Sequence, residues 1–260
     1  MVIKMSLIKT GKSDKLTYKV YASRAEMGRA AATEAAEAIK SLLAKKDEIN
    51  MIFAAAPSQN EFLAALTEDK SIDFTRINAF HMDEYIGLPS DAPQGFGNFL
   101  RRTLFDKVPF KSVNTIDSSA TDAALECERY SALLKKHPCD IVCMGIGENG
   151  HIAFNDPHVA DFNDTETVKA VSLDEVCRMQ QVNDGCFDKL DDVPKYALTL
   201  TVPTLLAPEY IFCMVPAKTK ANAVKETLTG PVGVSCPATA LRRHENAVLY
   251  TDTDSAARIL

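Results

Sequence analysis

Apolar runs of strand length recur along the chain at 16–23 (LTYKVYAS), 49–56 (INMIFAAA), 76–82 (RINAFHM), 140–147 (DIVCMGIG), 196–202 (YALTLTV), 210–217 (YIFCMVPA) and 246–252 (NAVLYTD). Between most of them lie segments of helix length with apolar positions three and four apart, at 23–46, 58–69, 121–137 and 218–230, the first opening on Ser23 as an N-cap. Near-continuous hydrophobic strands alternating with helices predict a mostly parallel sheet covered on both faces. That is a Rossmann-like, doubly wound α/β sandwich. Ligands in such folds bind beyond the carboxyl ends of the strands, so the segments that matter follow Ala56, Met82, Gly147 and Ala217. Two polar stretches, 158–171 and 180–195, read as long excursions from the sheet, and the region around 158–195 is expected to form a lid over the crevice.

Length and composition narrow the class. A chain of 260 residues, 46% hydrophobic and 25% charged, suits one large α/β domain spanning 1–260. Its net charge of −6 argues against a nucleic-acid partner, which would need a broad basic face. Seven cysteines without a CxxC pair, several inside apolar runs, read as reduced, buried side chains of a cytoplasmic protein. The opening MVIKMSLIKTGKSDK has neither the apolar length nor the small-residue cleavage site of a signal peptide, and no run is long enough to span a bilayer. A small-molecule ligand is expected, and a homo-oligomer is compatible with the sequence.

Three clusters could carry chemistry. In GIGENGHIAFNDP (145–157), glycines at 145, 147 and 150 permit tight backbone approach around Glu148, Asn149, His151 and Asp156. An imidazole that titrates near neutrality beside polar partners suits shuttling a proton on and off oxygen, although the same residues would also suit a polar turn. In NAFHMDEYIGLP (78–89), a strand runs directly into His81, Asp83, Glu84 and Tyr85. A carboxylate there faces the crevice and could act as a base toward a carbon-bound proton, or either acid could cap a helix starting near Pro93. In AAAPSQNEFLAAL (54–66), Ser58 stands at a helix N-terminus, either as an N-cap or as part of an anion site, and Lys220 stands at a similar strand-to-helix turn.

Taken together, MDEYIGLP (82–89), GIGENGHIAFNDP (145–157), VPKYALTLTVPTLL (193–206) and KTKANAVK (218–225) resemble the glucosamine-6-phosphate deaminase family, also called glucosamine-6-phosphate isomerase, in the family's order over most of the chain. The resemblance implies a Rossmann-like fold and conversion of a 2-amino-2-deoxy-hexose 6-phosphate and water into a ketose 6-phosphate and ammonia, with no metal or organic cofactor. It makes Asp83 the base that removes the C2 proton, His151 the carrier of the ring-opening proton, Asn149 and Asp156 the partners that orient that histidine, and Lys220 and Ser58 phosphate ligands.

The chain departs from the family pattern at three points. Pro57, with no N–H to donate, stands in a loop where the family has two glycines before the hydroxyl residue. Asp156 replaces a glutamate. The lid arginine that contacts phosphate has no counterpart in register, Arg178 being the nearest guanidinium. Two other activities fit parts of the pattern: 6-phosphogluconolactone hydrolysis, which needs no carbon base, and non-enzymatic sensing of a sugar phosphate, for which there is no room for a helix-turn-helix before the first strand.

Overall fold

The computed structural model describes residues 6–260, so the reading of the first five residues lies outside the described residues. The eleven strands among them are β1 (Leu7–Ser13), β2 (Leu16–Tyr21), β3 (Ile49–Phe53), β4 (Ile77–His81), β5 (Asp83–Tyr85), β6 (Ser112–Asn114), β7 (Ile141–Met144), β8 (Val168–Ser172), β9 (Tyr196–Leu200), β10 (Tyr210–Val215) and β11 (Ala247–Asp252). The α-helices are α1 (Arg24–Leu43), α2 (Asn60–Glu68), α3 (Phe96–Leu100), α4 (Ala123–Lys136), α5 (Glu175–Asn183), α6 (Val202–Leu206) and α7 (Ala221–Thr229). Eight strands form one sheet in the order β1-β2-β11-β10-β7-β3-β4-β6, parallel throughout except for the β1–β2 edge pair. This is the expected doubly wound α/β architecture.

Residue alternation explains why both faces are covered. Every position of β3, β4 and β7 is buried. Along β3, Ile49, Met51 and Phe53 join the core formed with α1 and α2, while Ile52 joins the opposite core with Tyr130 and Leu134 of α4. Along β10, Phe212 and Met214 face the first core, and Ile211, Cys213 and Val215 face the second, beside Ala223, Val224 and Leu228 of α7. A strand with apolar side chains on both faces gains from burial only between two helical layers. Ser23 caps α1 as its sequence position predicts, accepting from the Glu26 N–H at 3.3 Å.

Three readings are corrected. The run at 196–202 does not join the parallel sheet: β9 is the middle strand of a separate antiparallel sheet ordered β5-β9-β8. Its residues read as a central strand because all of them after Tyr196 are buried too. The excursions around 158–195 are less irregular than their polarity suggests, containing β8 and α5, the latter capped by Asp174, whose carboxylate accepts from the Cys177 N–H at 2.6 Å. Ser58 is not the N-cap of α2. It lies in a 3-10 turn, Pro57–Gln59, that precedes the helix, and no side chain caps α2.

Candidate active site

Chain direction across the sheet reverses between β3 and β7: from β3 the chain moves outward through β4 and β6, then returns through β7 to β10 and β11. A crevice opens at the carboxyl ends of the strands at such a switch point. Here it is lined by Ala54–Gln59 after β3, Met82 and Asp83 after β4, Gly145–Gly147 after β7, and Pro216, Ala217, Thr219 and Lys220 after β10. His151 and Phe154 complete one wall, and Gln180, Gln181 and Asp184 from the end of α5 cover another.

The two acids after β4 have separate tasks. Only Met82 separates β4 from β5, so the backbone leaves the parallel sheet and pairs at once with β9. On that three-residue strand successive side chains point opposite ways. Glu84 turns toward α3, where its carboxylate accepts from the backbone N–H groups of Tyr85 (2.9 Å), Phe96 (3.0 Å) and Gly97 (2.8 Å) and so satisfies free donors of the first helical turn. Asp83 turns into the crevice, 7% exposed. Burial, together with the Glu84 charge, pushes the Asp83 carboxyl well above its ordinary range. Burial also raises Glu84, to about 7, against the lowering effect of its three N–H donors. His81, the other candidate on this segment, is a structural residue: its Nε2 accepts from the Ile116 N–H at 2.8 Å, and burial, with nearby Arg101 and Arg129, holds it neutral with a pKa of about 3.

After β7 the chain forms a tight turn in which the Gly147 N–H bonds the His151 carbonyl at 2.9 Å. The imidazole lies directly against Gly147, where a Cβ would sit 2.0–2.3 Å from ring atoms, and Gly150 takes φ +85°, so both glycines are required by the turn. His151 Nδ1 lies 2.8 Å from Asn149 Oδ1 and 3.1 Å from Asp156 Oδ1. The amide of Asn149 is oriented by two carboxylates, its Nδ2 donating to Asp156 at 2.9 Å and to Asp174 at 3.0 Å. Its oxygen must then face the histidine. Two acceptors at Nδ1 fix the proton there and leave Nε2 as the free base. Burial disfavours the Asp156 carboxylate, but its hydrogen bonds to His151 and Asn149 and from the Asp174 N–H outweigh that and hold its pKa below the ordinary value. Asp174 was not singled out in the sequence, since its contribution depends on α5 returning to this loop.

The other end of the crevice is cationic. Lys220 closes a 3-10 turn, Lys218–Lys220, and its Nζ is buried without a hydrogen-bond partner among the described residues. Burial lowers its pKa, against the attraction of Asp184 and Glu148. The turn is strained: Ala217 has φ +84°, ψ 148°, a region glycine alone occupies readily, and its N–H is held by both carboxylate oxygens of Asp252 (3.3 and 3.2 Å). Ser58 lies across from it, its Oγ accepting from Gln59 Nε2 at 3.0 Å. Arg178 does not reach the crevice. Its guanidinium donates to the carbonyls of Leu190 (2.6 Å) and Val193 (3.0 Å) and ties α5 to the segment before β9, whereas Gln181, almost one turn further along α5, lines the pocket. Arg24, from the first turn of α1, also lines it, and nothing in the local sequence singles it out because α1 begins far from the other motifs.

His151, Asp156 and Cys177 carry ligand atoms within 4.8 Å of one another. The histidine and aspartate are paired with each other, and burial, with Asp156 and Asp174 nearby, pushes the Cys177 thiol up. No helix among the described residues is long and apolar enough to cross a membrane.

A buried carboxylate, an oriented imidazole and a cationic recess meet at one switch point of an α/β fold, the set of groups that acid–base enzymes of small anionic ligands use. The chain belongs to the family of glucosamine-6-phosphate isomerases/6-phosphogluconolactonase, whose model matches residues 22–250. The glucosamine-6-phosphate deaminases of Listeria welshimeri serovar 6b and Bacillus thuringiensis strain Al Hakam are each 34% identical to it, over 81% of this chain and 88% of the former, and 84% of this chain and 80% of the latter. Among solved structures, a monomeric glucosamine-6-phosphate deaminase superposes with a TM-score of 0.83 at 28% identity, covering 94% of this chain and 99% of its own. The 6-phosphogluconolactonase of Thermotoga maritima shares the fold, with a TM-score of 0.75 at 21% identity over 92% of this chain and 100% of its own.

Proposed function

We propose that the protein is a deaminating aldose–ketose isomerase that converts glucosamine 6-phosphate and water into fructose 6-phosphate and ammonia. The observation that carries this reading is the division of labour between Asp83 and Glu84. Glu84 is committed to α3, so Asp83 is a buried carboxylate aimed into the crevice with no side-chain hydrogen bond among the described residues to tie it down. A raised pKa makes that carboxylate a stronger base once ionised, which abstraction of a carbon-bound proton requires and lactone hydrolysis does not.

The chemistry follows in order. His151 Nε2 takes the O1 proton of the cyclic sugar and returns one to O5, opening the ring and exposing the C1 aldehyde. Asp83 then removes the C2 proton, now acidic beside the carbonyl, while O1 takes up a solvent proton, giving an enolamine. The protonated Asp83 gives its proton to C1, which returns the carboxylate and yields a ketimine at C2, and water displaces ammonia from it to give the ketone. Lys220 and Ser58 bind the phosphate, and the region around 158–195 acts as the lid of a single catalytic domain, with Gln180 and Gln181 on its inner side.

The test is ammonia release from a panel of 2-amino-2-deoxy-hexose 6-phosphates, with 6-phosphogluconolactone as control. Turnover of glucosamine 6-phosphate is expected; hydrolysis of the lactone alone would overturn the reading.

A further inference from the structure

The Pro57–Gln59 turn is poorly equipped to hold a phosphate by itself. Pro57 has no N–H, and the Gln59 N–H is occupied by the Ala56 carbonyl at 2.9 Å. What remains from the turn is the N–H and hydroxyl of Ser58. Lys220 adds one charge, on a side chain whose burial disfavours that charge. A phosphate monoester carries a charge approaching −2 and three acceptor oxygens at neutral pH.

Arg24 sits where the missing donors would be needed. It lines the same crevice as Ser58 and Lys220. Its guanidinium is fixed on two sides: Nη2 donates to the carbonyl of Pro57, and Nε bonds Glu61 Oε1 at 2.7 Å. Glu61 belongs to the first turn of α2, so the guanidinium is bolted to both ends of the turn it would assist. Two of its five N–H groups are used in this way, and Nη1 has no partner among the described residues. A planar, permanently charged donor held rigid by its other edge meets phosphate at a low entropic cost. The lid guanidinium, Arg178, is meanwhile consumed by the carbonyls of Leu190 and Val193.

We infer that Arg24 is a phosphate-binding residue of this enzyme, so that the guanidinium grip is supplied by the fixed first turn of α1 rather than by the lid. The inference rests on the sugar-phosphate reading of the pocket, and it names the residue that recognises the phosphate group. It makes anion recognition independent of lid position. The substrate's phosphate docks on α1, the Pro57–Gln59 turn and Lys220 before the lid region contributes Gln180 and Gln181.

The experiment measures inorganic phosphate binding by calorimetry and the KM for glucosamine 6-phosphate in wild type, Arg24→Ala, Arg24→Lys and Arg178→Ala. Arg24→Ala is expected to weaken phosphate binding and raise KM by roughly 10- to 100-fold, the range for losing a charged hydrogen bond to an anion. Arg24→Lys is expected to recover part of the loss, and Arg178→Ala to bind phosphate as wild type does. The melting temperature of Arg24→Ala without phosphate is the control for a structural role: a large drop together with weakened phosphate binding that Arg24→Lys does not partly restore would mean that Arg24 only braces the turn. Unchanged phosphate affinity in Arg24→Ala, or a loss confined to Arg178→Ala, would overturn the inference. If wild type released no ammonia from any hexosamine phosphate, the proposed reaction would fail, while the phosphate titration would still decide the role of Arg24.

Discussion

Asp156 and His151 face each other 3.1 Å apart, with Asn149 wedged against both, and the carboxylate is completely buried. The pair fixes the imidazole tautomer, which leaves Nε2 as the free base of the ring. Asp156→Asn removes the charge that steadies the imidazolium formed during ring opening, so kcat for the cyclic substrate should fall by roughly 10²-fold or more. Asn149→Asp adds a carboxylate beside the ring, favours its charged form and should displace the pH profile of kcat/KM. Identical profiles for wild type and Asn149→Asp would show that Asn149 does not act on the histidine.

Gly147 provides a second route to the same ring. A methyl group there would lie within 2.3 Å of three imidazole atoms, so Gly147→Ala must push the histidine out of place or shift the turn. Ring-opening activity should be lost in a protein that still folds, checked by kinetics alongside circular dichroism.

Asp83 and Glu84 should separate chemistry from structure. Asp83→Asn keeps size but removes the base, so ammonia release and exchange of the C2 hydrogen with deuterium from solvent should both fall by at least roughly 10²- to 10⁴-fold. His151→Asn should slow turnover of the cyclic sugar yet retain C2 exchange from the open-chain ketose side. Wild-type C2 exchange in Asp83→Asn, measured by NMR, would place the carbon base elsewhere.

The same two acids set the pH dependence. Because Asp83 is raised, the acid limb of kcat/KM should lie above the ordinary carboxylate range, and Glu84→Gln, which removes the neighbouring charge, should move it to lower pH. For stability the sign is as follows. Between its ordinary value of 4.5 and about 7, native Glu84 holds a proton that the unfolded chain has released, so its contribution falls as pH rises through that window and is constant above it. Denaturant titrations across pH 4–8 should show that decline reduced in Glu84→Gln. That variant should also be less stable overall by about 1–3 kcal/mol, because an amide oxygen cannot satisfy all three N–H donors.

The cationic end should show a conflict between stability and function. Lys220 is buried without a partner, so Lys220→Met should raise the melting temperature by a few degrees, roughly 2–4 °C per kcal/mol in a chain of this size, while raising KM for the phosphorylated sugar strongly. Ala217→Gly should stabilise as well, because it relieves a backbone conformation that costs about 1–3 kcal/mol in a residue with a Cβ. A less stable Ala217→Gly protein would mean that the turn's strain is smaller than the flexibility that glycine adds.

The sequence by itself determined the layered architecture, since most of its apolar runs, buried on both strand faces and spaced by amphipathic segments, call for a sheet covered by helices on both sides. It also placed Asp83, His151 and Lys220 in segments that follow strand ends, and those segments line one crevice. The destination of β9 was not legible, because a strand buried by helices and one buried by a second sheet carry the same apolar pattern. Nor was the choice between Asp83 and Glu84 as the free acid, which depends on where α3 returns its N-terminus. The placements of Asp174 and Arg24 came only from folding, which brings Asp174 against Asn149 behind the histidine and Arg24 into the crevice lined by Lys220. Local order writes the strand ends into the sequence, whereas which distant side chains share a crevice is decided by how the sheet reverses between β3 and β7.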